Sequence, residues 1–128
     1  MYQPTTRPGH RLPHAWIERD GRRLSTQDLA GPDSGFVLIV GPNGAAWAEA
    51  AAQVEEKLSV PIVVASIGDG AQYADVDEGW AAVREITDEG AVLVRPDHHV
   101  AWRSVGASQD PASTLGDAAA RVLGHQAS

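Results

Sequence analysis

A chain of 128 residues without cysteine has few carriers of chemistry: five histidines, seventeen carboxylates and scattered serines. The missing cysteine removes disulfides, thiol redox chemistry, cysteine nucleophiles and thiolate metal sites together. The most conspicuous pair is His98 and His99 in AVLVRPDHHVAWRS, residues 91–104. Two histidines could ligate a metal or move protons. Adjacent residues on a strand point to opposite faces, so the pair shares an ion only if a turn twists it together. No Asp, Glu or His at metal-ligand spacing stands nearby in sequence. Pro96-Asp97 suits the first half of a β-turn. His98 then takes a turn position where glycine would be easier, since histidine tolerates positive φ only moderately.

The other candidates are weaker. His10 and His14 have the four-residue spacing of a helical ligand pair, but Pro8, Gly9 and Pro13 argue against a helix there. Gly41-Pro42-Asn43-Gly44 precedes a helix, where backbone N–H groups favour anions. It carries neither GxxxxGKS nor GxGxxG, so a phosphate cradle is poorly supported. Asp69, Asp75, Asp77 and Glu78 cluster without the spacing of a calcium loop and read as a solvated loop. Ser25, Ser66 and Ser104 lack any nucleophile motif such as GxSxG. No catalytic residue and no metal or cofactor ligand is assigned in this chain.

The elements that must carry these residues follow from pattern. Residues 1–14, with Pro4, Pro8, Pro13 and Gly9, form an extended linker or docking arm, and 15–128 form the domain. Asp20-Gly21 between two short runs signals a hairpin. Ser25 caps a short turn that Gly31-Pro32 stops. FVLIV, 36–40, and VPIVVASIG, 60–68, are continuous apolar runs, expected to be strands covered on both faces. Between them AAWAEAAAQVEEKLS is helical, with Asn43 as its expected cap. Such a strand–helix–strand implies a parallel pair. Residues 69–77 read as a loop, and 78–90 as a short helix presenting Trp80, Val83 and Ile86. The hairpin 91–104 follows. A last helix is capped by Asp110, begins with Pro111, and turns Leu115, Ala119, Val122 and Leu123 inward. A parallel βαβ followed by antiparallel ββα is a thioredoxin-like arrangement. It is α/β, with a central mixed sheet and an added N-terminal hairpin, and it lacks CxxC.

The net charge is −7. Residues 1–23 hold Arg7, Arg11, Arg19, Arg22 and Arg23 against Glu18 and Asp20, while the remainder holds 15 acids and 5 bases. So acidic a body makes nucleic acid a poor partner. No apolar run approaches the ~20 residues of a membrane helix, and the N-terminus lacks a signal-peptide core. A cytoplasmic location is expected.

Three stretches carry a resemblance: TRPGHRLPHAWI (6–17) with RLSTQDL (23–29), DEGWAAVREI (77–86) and GAVLVRPDHHVAWRS (90–104). Together they resemble the C-terminal domain of FAD-dependent aromatic-ring hydroxylases, a group that includes phenol and dichlorophenol monooxygenases and polyketide hydroxylases. The family usually has glycine where His98 stands. The resemblance implies a structural or interface module of a parent enzyme that hydroxylates phenol-type rings with FAD, NAD(P)H and O₂. FAD and substrate would lie in the parent's other parts, and this module would contribute domain packing or a homodimer contact. It also implies that the chain is a piece of a longer protein, docked through Arg7, Arg11, Leu12, His14 and Trp16. Two rivals remain. A free-standing thioredoxin-like binding protein would meet a partner through residues 7–16. An independent enzyme would need His10, His14 or His99 to converge with Asp69 or Asp97 in a pocket.

Overall fold

The computed structural model describes residues 5–30 and 35–127, with side chains to residue 122. The expected stop at Gly31-Pro32 and the side chain of Leu123 lie outside that range. The described elements are β1 (Trp16–Arg19), β2 (Arg22–Ser25), β3 (Phe36–Val40), α1 (Ala45–Leu58), β4 (Ile62–Ser66), β5 (Ala74–Asp75), α2 (Gly79–Val83), β6 (Ala91–Val94), β7 (Val100–Ser104) and α3 (Pro111–Ala127).

The large sheet has the order β4-β3-β6-β7. β3 and β4 are parallel, β3–β6 and β6–β7 antiparallel. This is the thioredoxin-like arrangement that the pattern implied. FVLIV is buried at every position because both faces of β3 are covered. Phe36, Leu38 and Val40 pack with Trp47, Ala51, Val54, Leu115 and Ala119 of α1 and α3. Val37 and Ile39, one pleat over, pack with Leu12, Ile17, Trp80 and Ile86. The second face is therefore closed by the N-terminal segments and α2. A smaller sheet of order β2-β1-β5 belongs to that layer.

The two hairpins fold for local reasons. Asp20 and Gly21 have φ of 52° and 79°, the positive pair a two-residue I′ turn requires. At the second, His98 N–H donates to Arg95 C=O at 2.9 Å and Arg95 N–H to His99 C=O at 2.9 Å. Pro96 and Asp97 thus sit at the centre of the turn, and His98 takes the left-handed position with φ 72°. That is the three-residue loop in which glycine is usual. The Asp110 cap of α3 is present, accepting from Ser113 N–H at 3.2 Å.

Three expectations are corrected. β4 is an edge strand rather than a strand buried on both faces: Val63 is 46% exposed. An apolar run cannot distinguish an edge from a centre when side chains alone are read. Residues 69–77 are not all loop, since β5 pairs with β1 at Ile17–Asp75 and Glu18–Ala74. Asn43 does not cap α1. The cap position is Gly44, whose N–H closes a turn onto Gly41 C=O at 3.0 Å, and the helix starts one residue later.

Candidate functional site

The histidines separate. His98 and His99 sit in one turn but do not converge: His98 Nδ1 is buried without a partner, whereas His99 Nδ1 lies 3.1 Å from Asp97 C=O at the surface. Partial burial pushes the Asp97 carboxyl up, but hydrogen bonds from Arg95 and the His99 N–H outweigh it and hold it below the usual range. His14 Nδ1 meets Ser25 Oγ at 2.6 Å, and His10 is exposed. Among the described residues no three His, Asp or Glu side chains form a metal-sized group. The one approach the enzyme reading required, His99 to Asp97, is a contact inside a single turn.

The remaining candidates have structural duties. Ser25 accepts from Gln27 N–H at 3.1 Å and Asp28 reciprocates onto Ser25 N–H at 3.0 Å, a capping box on the turn Thr26–Leu29. Ser66 pairs with Gln72, and Ser104 Oγ donates to Gly106 C=O at 2.8 Å. Asp75 accepts from Trp80 N–H and Ala81 N–H, each at 2.9 Å, and so starts α2. The Gly41–Gly44 loop spends its donors internally: Gly41 N–H on Gly90 C=O at 3.3 Å, Asn43 N–H on Asp88 C=O at 3.0 Å, Gly44 N–H on Gly41. A Cβ on Gly41 would stand 2.2 Å from the Asp88 oxygen. The glycine admits a neighbouring backbone, so the loop does not fit a flavin pyrophosphate.

What the fold does present is the outside of the arm and first hairpin. The arm runs antiparallel along β7: Gly9 N–H donates to Val100 C=O, Val100 N–H to His10 C=O, and Leu12 N–H to His98 C=O, at 2.7–2.8 Å. Leu12 is 1% exposed and belongs to the chain's own core. Thr26 is fully buried, with its Oγ donating to Pro13 C=O at 2.7 Å and accepting from Ala15 N–H at 3.1 Å. These contacts hold residues 12–15 rigidly, and β1 alternation then turns Ile17 inward and Trp16 outward. Trp16 is 49% exposed, with the His14 ring edge-on at 4.6 Å. Arg7 and Arg11 are exposed on the same segment. Of the five residues expected to dock, four therefore face out, and Leu12 anchors them from beneath.

Sequence reasoning missed a polar clamp at the start of the arm. Thr6 is fully buried; its Oγ donates to Arg84 C=O at 2.6 Å and accepts from Arg103 Nη1 at 3.0 Å. Glu85 accepts from the Thr5 hydroxyl, from Thr6 N–H at 2.9 Å and from Arg103 at 3.0 Å. The Thr5 and Thr6 hydrogen bonds hold its carboxyl below the usual range, Arg103 adds to them, and partial burial opposes. The partners lie 18 to 97 residues apart in sequence, so no local signal marks them.

Comparison with known proteins agrees with this architecture. The family described as "Aromatic-ring hydroxylase, C-terminal" matches residues 5–126. A 2,4-dichlorophenol 6-monooxygenase of Cupriavidus pinatubonensis is 46% identical over 98% of this chain and 21% of its own length. A phenol 2-monooxygenase of a Pseudomonas species is 39% identical over 91% of this chain and 19% of its own. Among solved structures, the flavin-dependent monooxygenase PieE, in complex with FAD and substrate, superposes with a TM-score of 0.87. Its identity is 44%, covering 96% of this chain and 21% of that one. The chain spans about a fifth of the length of the curated relatives it matches. With nearly every residue aligned and the fold shared, the chain belongs to the aromatic-ring hydroxylase C-terminal domain family.

Proposed function

We propose that this chain is the trailing domain of an FAD-dependent monooxygenase that hydroxylates a phenol-type ring with NAD(P)H and O₂ in the cytoplasm. Its own share is structural: it packs on the flavin- and substrate-binding parts of the parent. The observation that carries this reading is the 46% identity across 98% of the chain to an enzyme of which it covers only 21%. FAD, when bound by the parent, supplies the oxidising chemistry, and protein groups position it. The loop before α1 does not fit the FAD pyrophosphate, because its Gly41, Asn43 and Gly44 N–H groups are spent on the carbonyls of Gly90, Asp88 and Gly41. The flavin and substrate therefore belong to other parts of the parent.

Docking uses Arg7, Arg11, His14 and Trp16, with Leu12 fixing the segment from within. A half-exposed tryptophan among arginines is the composition of an interface anchor. The test has two arms. An open reading frame upstream of codon 1 that runs into a strand–GxGxxG–helix motif supports the reading; a stop codon and ribosome-binding site there overturn it. In the longer protein, Trp16→Ala should weaken docking by about 2 kcal/mol and lower the melting point of the flavin-loaded enzyme. In this chain alone the same change should stay within about 0.5 kcal/mol. Equal loss in both would show that Trp16 serves only its own domain.

A further inference from the structure

The arginines of this chain fall into two groups. Arg84 and Arg103 hold Asp88 and Glu85 at 2.9 and 3.0 Å, and Arg95 holds Asp97. Arg7, Arg11 and Arg23 are exposed and have no carboxylate partner among the described residues. The chain is not short of acids, with seventeen carboxylates against ten lysines and arginines. The missing partners are therefore a matter of placement.

The backbone fixes where all three arginines stand. His10 N–H closes a turn onto Arg7 C=O at 3.1 Å, through Pro8 and through Gly9 with φ 91°. Arg11 lies opposite His99 where the arm pairs with β7, and its neighbour Leu12 is buried. Arg23 stands opposite Glu18 in the β1–β2 register, and Ser25 opposite Trp16. By alternation Trp16, Glu18 and Arg23 share the outward face of the hairpin, with Arg23 diagonal to Trp16. Arg23 and Glu18 close no ion pair even so. Arg19, on the opposite face, lies over the Tyr73 ring at 5.6 Å. The fold thus uses Arg19 within the domain and leaves the arginines around Trp16 open.

We propose that Arg7, Arg11 and Arg23 dock onto a carboxylate-bearing surface of the part of the parent enzyme that precedes this domain, with Trp16 as the apolar centre of the contact. This rests on the reading of the chain as a trailing domain, and it adds the chemistry of the opposing face. Guanidinium forks match carboxylates two hydrogen bonds at a time. The arginines are spread along the arm and the hairpin rather than gathered about one point. That spread suits separate carboxylates on a broad surface rather than a single phosphate. A backbone already held in place loses little freedom when the surfaces meet.

The experiment is limited proteolysis of the flavin-loaded longer protein by thermolysin, which does not cut at arginine. The rate at which this domain is released follows the undocked population while redocking is fast. Arg7→Gln/Arg11→Gln/Arg23→Gln should raise the rate about tenfold in ~0.01 M KCl, equivalent to ~1.4 kcal/mol over three pairs. In ~1 M KCl, where the screening length is about 3 Å, variant and unsubstituted protein should agree within about twofold. The matching triple lysine variant keeps the charges and should recover most of the loss. Trp16→Ala should raise the rate at both salt concentrations, because burial of an apolar ring is not screened. Urea midpoints of the chain alone should be unchanged in every arginine variant; if the triple variant does not fold, Arg11→Gln alone should still give about a twofold rise at low salt. No rise at low salt, or an equal rise at high salt, overturns the proposal. With Trp16→Ala still releasing the domain, the docking reading then stands without the carboxylates; with Trp16→Ala silent as well, both fall. An arginine effect that disappears when the flavin is stripped would put a flavin phosphate on these side chains and would also overturn the proposal.

Discussion

Replacing Thr6 by valine tests whether the arm is part of the folded unit. Valine has the shape of threonine without the hydroxyl, and Thr6 is fully buried. The change deletes a donor to Arg84 C=O at 2.6 Å and an acceptor for Arg103 Nη1 at 3.0 Å. Arg103 keeps Glu85 and is 22% exposed, so water can replace part of what it loses. The Arg84 carbonyl lies under the arm and is left without its hydroxyl. An orphaned buried acceptor costs ~1–3 kcal/mol, and the expectation here is about 2 kcal/mol. At ~2.1 cal/mol/K per residue, the unfolding entropy of 128 residues is about 0.27 kcal/mol/K. The melting temperature should therefore fall by about 7 °C. Urea titration should move the midpoint at constant slope, because the buried area is unchanged. A loss below about 0.5 kcal/mol, the usual scale of a surface change, would refute the reasoning. It would mean that residues 5–14 detach in solution and that the clamp holds nothing.

Other outcomes follow from the same contacts. His98→Gly should leave the urea midpoint unchanged or raise stability by up to ~1 kcal/mol, since glycine accepts the left-handed turn position without strain; a clear loss would assign the half-buried ring a packing role. Gly41→Ala should cost more than about 3 kcal/mol, visible as lost soluble yield or a collapsed melting point, because its Cβ would meet the Asp88 backbone rather than a movable side chain. Glu85 has a folded pKa depressed from its ordinary 4.5, so its stabilisation is present above that value and lost as pH falls through the lower folded one. Urea midpoints of Glu85→Gln should therefore fall less on acidification than those of the unsubstituted chain; parallel acid profiles would contradict the clamp.

Much of the fold was legible because the rules involved are local. Asp20-Gly21 can hardly do anything but reverse a chain between two short strands, and Pro96-Asp97 does the same with His98 strained into the third position. FVLIV demanded cover on both faces before any partner was known. The motif pair in residues 6–17 and 90–104 marked the family, and the missing cysteine excluded thiol chemistry outright. The tertiary structure alone decided the rest. VPIVVASIG looks as apolar as FVLIV, yet one strand is central and the other lies at the edge, because strand order is set by crossover topology and not by composition. Leu12 sits among prolines, histidines and arginines with no period to announce it, and only the pairing of the arm with β7 turns it into the core. Thr6, Glu85 and Arg103 meet across as many as 97 residues of chain, and Glu55 and Gln72 reach β4 from a helix and a loop. Hydrogen bonds of that kind depend on where the backbone brings polar groups in space, which neighbouring residues do not encode.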